Sequence, residues 1–218
     1  MKSKPIIWVE GLIGAGKTTL ATALAERLNL RALFEPIGSN PYLKDFYCDQ
    51  KRWAFPMQIE LMMRRYAMQK TAAYEAVSSD SQWSGCVLDR GLPGDRVFCR
   101  LHMLHENMSH KEWETYERAY EIMACSITPP SLLIFLDIEP EVALQRVVER
   151  NRDAEKGLPL KYLQDLRAGY LDLLVEIESG THAWSRGMEV KRIPWNVGHQ
   201  PIEPIVNMLI DKYKLEER

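Results

Sequence analysis

The stretch Pro5-Ile6-Ile7-Trp8-Val9-Glu10-Gly11-Leu12-Ile13-Gly14-Ala15-Gly16-Lys17-Thr18-Thr19-Leu20 decides the fold. Its first five residues form a short aliphatic and aromatic run that reads as a buried parallel strand. Gly11 to Thr18 complete a G-x-x-x-x-G-K-[ST] element, and Leu20, Leu24 and Leu28 then recur at the interval of a helix over 17–28. Strand, glycine-rich loop and helix in immediate succession make a phosphate cradle. The glycines let successive backbone N–H groups converge on an anion, and the helix presents its positive end to the same place. In that reading Gly11, Ile13, Gly14, Ala15, Gly16, Lys17, Thr18 and Thr19 line a bound triphosphate. Lys17 would bridge its β- and γ-phosphates and Thr18 would ligate Mg²⁺, with ATP as phosphoryl donor.

Outward from this element, four further short apolar runs read as strands: 32–34, 86–88, 132–136 and 190–193. Helical patterns separate them at 53–76, 93–105, 110–126, 140–150, 160–179 and 201–213, several with proline near the start. Alternating strand and helix predicts a three-layer α/β fold, a five-stranded parallel sheet flanked by helices. Residues 1–218 show no repeat, linker or composition break, so one domain is expected.

The 28 basic and 30 acidic residues nearly cancel, which argues against a nucleic-acid partner and makes any phosphate binding local. The apolar runs are too short for a membrane span. Lys2 and Lys4 before an apolar run resemble a signal peptide, but Glu10 interrupts the run, and a cytoplasmic protein is expected. Cys48, Cys86, Cys99 and Cys125 lack CxxC spacing and read as reduced thiols.

A hydroxyl acceptor must lose a proton while held in line with the γ-phosphate, which directs attention to acids beyond the carboxyl ends of the strands. Glu35, before Pro36, and Asp89, before Arg90-Gly91, both fall there. Either acid alone could cap the next helix; two beside a phosphate loop favour catalysis. Arg146 and Arg150 share one helix face, Arg152 and Glu155 follow, and Gly157 closes the segment, so 146–159 reads as an arginine lid. A solvated helix end rich in arginine is the other reading.

Taken together these residues resemble the deoxynucleoside kinase family. The resemblance runs from about Ile6 to Tyr170 and includes the phosphate loop, Glu35-Pro36, Asp89-Arg90-Gly91 and the R-x-x-x-R-x-R-x-x-E pattern of Arg146, Arg150, Arg152 and Glu155. It implies transfer of the ATP γ-phosphoryl group to the 5′-hydroxyl of a deoxynucleoside. It implies Glu35 as the base, Arg90 holding developing charge, Asp89 helping Thr18 place Mg²⁺, and lid arginines closing on the phosphates. Tyr47 and Glu155 match the pair that holds the sugar 3′-hydroxyl, and Gln58, downstream of Trp53, matches the glutamine that pairs with the base edge. Arg65 and Asp95 match the residues around the base in members acting on deoxycytidine or purine deoxynucleosides rather than thymidine. Such a pair is equally a structural ion pair, and Trp53, Phe55 and Met57 are equally core.

Two departures bear on the base pocket: Gly91 stands where the family has serine, and Pro93-Gly94 precedes Asp95. The resemblance also implies a homodimer through 53–76 and 110–126, where Met62, Met63, Met68, Tyr116, Tyr120 and Met123 suit an interface or a core. A monophosphate kinase of the thymidylate kinase type would share loop, sheet and lid, but it needs no strand-end base. A nucleotide-binding subunit without catalysis would be expected to have lost Lys17, Thr18, Glu35, Arg90 or the lid. The stretch from Trp184 to His199 is expected to return to the adenine side of the ATP site.

Overall fold

A computed structural model describes residues 3–34, 38, 40–152, 155, 157–185, 187–196 and 201–217. Five strands, β1 (Ile6–Gly11), β2 (Leu30–Leu33), β3 (Gly85–Asp89), β4 (Leu132–Asp137) and β5 (Glu189–Pro194), form one parallel sheet in the order β2-β3-β1-β4-β5. The central strands are apolar on both faces because helices cover both: β1 and β3 are buried at every residue. The edge strand β5 is largely exposed and carries Lys191 and Arg192, charges that discourage pairing with another chain.

Helix α1 (Lys17–Leu28) packs under β1, β2 and β3, and α8 (Glu203–Tyr213) packs on α1. Between β2 and β3 lie α2 (Leu43–Cys48) and α3 (Gln50–Val77); between β3 and β4 lie α4 (Leu92–Leu104) and α5 (His110–Ala124). Helices α6 (Pro140–Arg150) and α7 (Leu160–Glu178) then lead to β5. Helix α4 packs on α3, α5 and α7, so these elements make one layer over the sheet. The chain leaves β1 toward β2 and leaves β3 in the opposite direction toward β4. The order therefore reverses between β1 and β3, and a crevice opens at their carboxyl ends.

The expected strands are all present, with shifted ends: β1 runs on through Glu10 and Gly11, and β2 starts at Leu30. Helix α2 has no counterpart in the sequence reading. It is six residues long, too short for an amphipathic period to show, and it is held by tertiary contact with α3. Helix α3 starts three residues earlier than expected because the Asp49 side chain accepts from the Arg52 backbone N–H at 3.2 Å and caps it.

Candidate functional site

The phosphate loop owes its shape to residues adjacent in sequence. Gly14 and Gly16 have φ of 81° and 88°, values that side chains disfavour, and Gly16 hands the chain directly into α1. The loop is also wedged against α6: a Cβ on Gly14 would stand 2.6 Å from the Ala143 carbonyl oxygen and 2.9 Å from Val147 Cγ2. Lys17 is buried, and its Nζ donates to the Leu12 carbonyl at 2.7 Å, folding the ammonium back over the loop. Thr18 Oγ1 donates to the Asp89 carboxylate across the gap between α1 and β3. An alcohol and a carboxylate are the hard oxygen donors that suit Mg²⁺.

Arg146 and Trp195 close the loop's outer side. The Arg146 guanidinium donates to the Trp195 carbonyl at 3.0 Å, and the Trp195 indole nitrogen lies 3.5 Å from where a Cβ on Gly16 would be. Residues 186 and 197–199 of the expected adenine-side segment lie outside the described residues. Further along α6, Arg150 donates to Glu155 at 2.5 Å, and the Arg152 guanidinium is 3.9 Å from the same carboxylate. Residues 153, 154 and 156 of this segment are outside the described set, as is Glu35 with its neighbours 36 and 37.

On the other side of the crevice, Tyr47 on α2 is close enough to Glu155 to feel it. Burial first, and the Glu155 charge second, push the phenol above its ordinary pKa. Two segments more than a hundred residues apart in sequence thus lie within electrostatic range of one another. Trp53 stacks on Tyr42, ring centroids 5.7 Å apart, with the Arg52 guanidinium 5.2 Å from its ring.

Gln58, Arg65 and Gln69 share a buried face of α3. Arg65 pairs with Asp95 in the first turn of α4, and both side chains are almost wholly out of solvent. Tyr116 of α5 donates its hydroxyl to the second Asp95 oxygen, and burial raises its pKa well above the ordinary value. Gln58 Oε1 is buried with no partner among the described residues. A buried amide oxygen without a partner is costly, and a ligand donor would satisfy it.

Asp89 and Arg90 end β3. Arg90 has φ of 73°, unusual for a residue with a side chain, and its backbone N–H is held by the Val9 carbonyl at 3.1 Å. Its guanidinium donates to the Tyr170 hydroxyl of α7 at 2.5 Å and lies 4.6 Å from the Phe98 ring centroid. Tyr170 in turn donates to Glu10 Oε2 at 3.0 Å, and the Gly91 N–H donates to Glu10 Oε1 at 2.7 Å. Burial raises the Glu10 pKa, opposed by Arg90, the Gly91 N–H, Arg65 and Lys17 in that order. Gly94 is explained by the same carboxylate: a Cβ there would lie 2.6 Å from Glu10 Oε1.

Glu10, Tyr116 and Tyr170, which the motifs did not supply, contact the candidate site residues Arg90 and Asp95 or one another. An isolated acid in an otherwise apolar buried strand was the available signal for Glu10. In the sequence Tyr116 suits an interface or a core and Tyr170 only marks the end of the resemblance, and no local pattern marks their hydroxyls.

A parallel sheet with a phosphate loop at its reversal point, an arginine-bearing helix beside the loop and a cluster of buried polar side chains from the layer over the sheet define a P-loop kinase. The comparison with known proteins narrows this. The deoxynucleoside kinase family matches residues 7–197, and the chain belongs to that family. It is 38% identical over 210 residues to a deoxyadenosine kinase of Dictyostelium discoideum, covering 95% of this chain and 79% of that protein. It is 35% identical over 170 residues to a deoxyadenosine/deoxycytidine kinase of Bacillus subtilis, covering 76% and 74%. In fold it matches a deoxyadenosine kinase from M. mycoides with bound dATP at a TM-score of 0.76, covering 96% of this chain and 99% of that one. At 20% identity that likeness speaks to the fold alone. The protein is a deoxynucleoside kinase, a phosphotransferase with an alcohol acceptor.

Proposed function

We propose that the acceptor is a purine deoxynucleoside or deoxycytidine, phosphorylated at its 5′-hydroxyl by ATP, with thymidine disfavoured. The observation that carries this is the buried Arg65–Asp95 pair, whose arginine shares a face of α3 with the Gln58 amide oxygen, an atom without a partner among the described residues. The pocket thereby offers both donors and acceptors to the polar edge of a base. The two relatives above, by their names, act on deoxyadenosine or on deoxyadenosine and deoxycytidine, which supports the same reading.

In this reading Lys17 and the loop N–H groups bind the phosphates, and Thr18 and Asp89 hold Mg²⁺, which would neutralise phosphate charge when bound. Glu35 takes the 5′-hydroxyl proton, and Arg90 steadies the charge that develops at that end. Arg146, Arg150 and Arg152 supply positive charge over the phosphates. The Tyr47–Glu155 approach holds the 3′-hydroxyl and leaves the 2′ side for hydrogen. The protein acts as one unit over 1–218, in the cytoplasm, as a homodimer. For the last, Met63, Tyr74 and Ile122 place large apolar surface outward on α3 and α5. No helix among the described residues is long and apolar enough to cross a membrane.

The test is ATP turnover at fixed Mg²⁺ with each of the four deoxynucleosides and, in parallel, their monophosphates. Turnover with deoxyadenosine, deoxyguanosine or deoxycytidine well above thymidine is the expected result; a thymidine preference overturns the base assignment. Arg65→Met with Asp95→Ala is expected to move the ranking toward thymidine.

A further inference from the structure

Glu10 is a carboxylate that no phosphoryl-transfer motif accounts for. It lies at 1% exposure in a strand whose preceding residues, Ile6 to Val9, are all apolar and buried. Removing a carboxylate from water is unfavourable unless its oxygens are well partnered, and both Glu10 oxygens are. One accepts the Gly91 N–H and so fixes the backbone directly after Arg90. The other accepts the Tyr170 hydroxyl, which itself accepts from Arg90 NH1 at 2.5 Å. The carboxylate and the guanidinium are 3.9 Å apart, a distance that leaves Tyr170 as the hydrogen-bonded bridge. Among the described residues Arg90 is thus held both through its main chain, in the left-handed region at φ 73°, and through its side chain, along a hydroxyl to a buried carboxylate. Chains of this kind polarise one another and stiffen the last member. Gly94 leaves the carboxylate the space it occupies, since a Cβ would stand 2.6 Å from Oε1 and 2.7 Å from Oε2.

We propose that Glu10, relayed by Tyr170, is the positioning residue that orients Arg90 for phosphoryl transfer. It touches neither substrate and acts through Arg90. The inference rests on the reading of Arg90 at the 5′-hydroxyl and goes beyond it, because it assigns the orientation of that arginine to the strand β1 acid directly before the phosphate loop.

The experiment is a steady-state cycle on the full chain: wild type, Glu10→Gln, Arg90→Lys and the double variant, with deoxyadenosine and deoxycytidine as acceptors. Glutamine keeps the shape and the acceptor for Gly91 and removes the charge. Glu10→Gln is expected to lower kcat about 10- to 100-fold, as a misplaced reacting group does. The KM for ATP should stay within about twofold, because no phosphate contact is removed. In the Arg90→Lys background the same change should cost under about threefold, since residues acting as a unit are not additive. A full additive cost in both backgrounds overturns the proposal, as does an unchanged kcat. If Glu10→Gln does not fold, Tyr170→Phe removes only the relay and must show the same dependence on Arg90, or the proposal fails. A wild type silent with every nucleoside would remove the functional reading and this inference together. An active wild type beside an indifferent Glu10→Gln would remove the inference alone.

Discussion

The phosphate loop and the pocket opposite it share one crevice but are assembled differently. Gly11 to Thr18 are consecutive, and their glycine conformations, the start of α1 and the fold-back of Lys17 all arise within that one stretch. The pocket draws Glu10 from β1, Arg65 from α3, Arg90 and Asp95 around the start of α4, Tyr116 from α5 and Tyr170 from α7. No two of those elements are locally paired by the sequence; they meet because the layer over the sheet packs them together. The loop is thus a local device that fails locally. The pocket is a set of buried, mutually satisfied charges in which removing one member leaves another stranded.

That contrast can be broken or sharpened by substitution. The largest effect is expected from Arg65→Ala, which strands the Asp95 carboxylate at essentially zero exposure. It should cost about 3–5 kcal/mol in denaturant unfolding, the usual penalty for breaking a buried pair. The double change Arg65→Met with Asp95→Ala should cost less than Arg65→Ala, because no uncompensated charge remains; equal losses would show that the pair is not a unit. Lys17→Ala should behave in the opposite way. Turnover falls roughly 10²- to 10³-fold and ATP affinity drops, while the unfolding midpoint moves little; retained ATP affinity in a binding titration would break the loop assignment.

A smaller effect is expected from Gly14→Ala, which forces a side chain to φ 81° and against the Ala143 carbonyl. The strain should remove about 1–3 kcal/mol of stability and raise the KM for ATP. A neutral outcome would show that the loop and α6 are not tightly packed. The smallest effect is expected from Tyr47→Phe, which deletes one partly exposed hydroxyl. It should raise the KM for a deoxynucleoside about three- to tenfold, the worth of one hydrogen bond, and leave the KM for ATP alone. An unchanged KM would place the 3′-hydroxyl elsewhere.

Legibility followed the same division. Strands β1, β3 and β4 are short, mostly apolar buried runs and need no partner to be read, and the cradle is written in eight consecutive residues. Helix α2 escaped because six residues hold less than two turns and its order comes from α3. The resemblance brings Arg65 and Asp95 together and leaves base contact and ion pair open, but nothing at thirty residues' separation says that Tyr116 completes the pair. Gly94, a departure from the family pattern, acquires its reason only when Glu10 is seen beside it.

The sequence by itself determined the parallel α/β architecture, the phosphate loop and the family, because hydrophobic period and glycine spacing act over neighbouring residues and need no knowledge of what packs across the sheet. Only the tertiary structure decided which buried charges face one another and how Arg90 is held. Those relations run between elements far apart in the chain, and they are set by the close packing of α3, α4, α5 and α7 over the reversal point between β1 and β3.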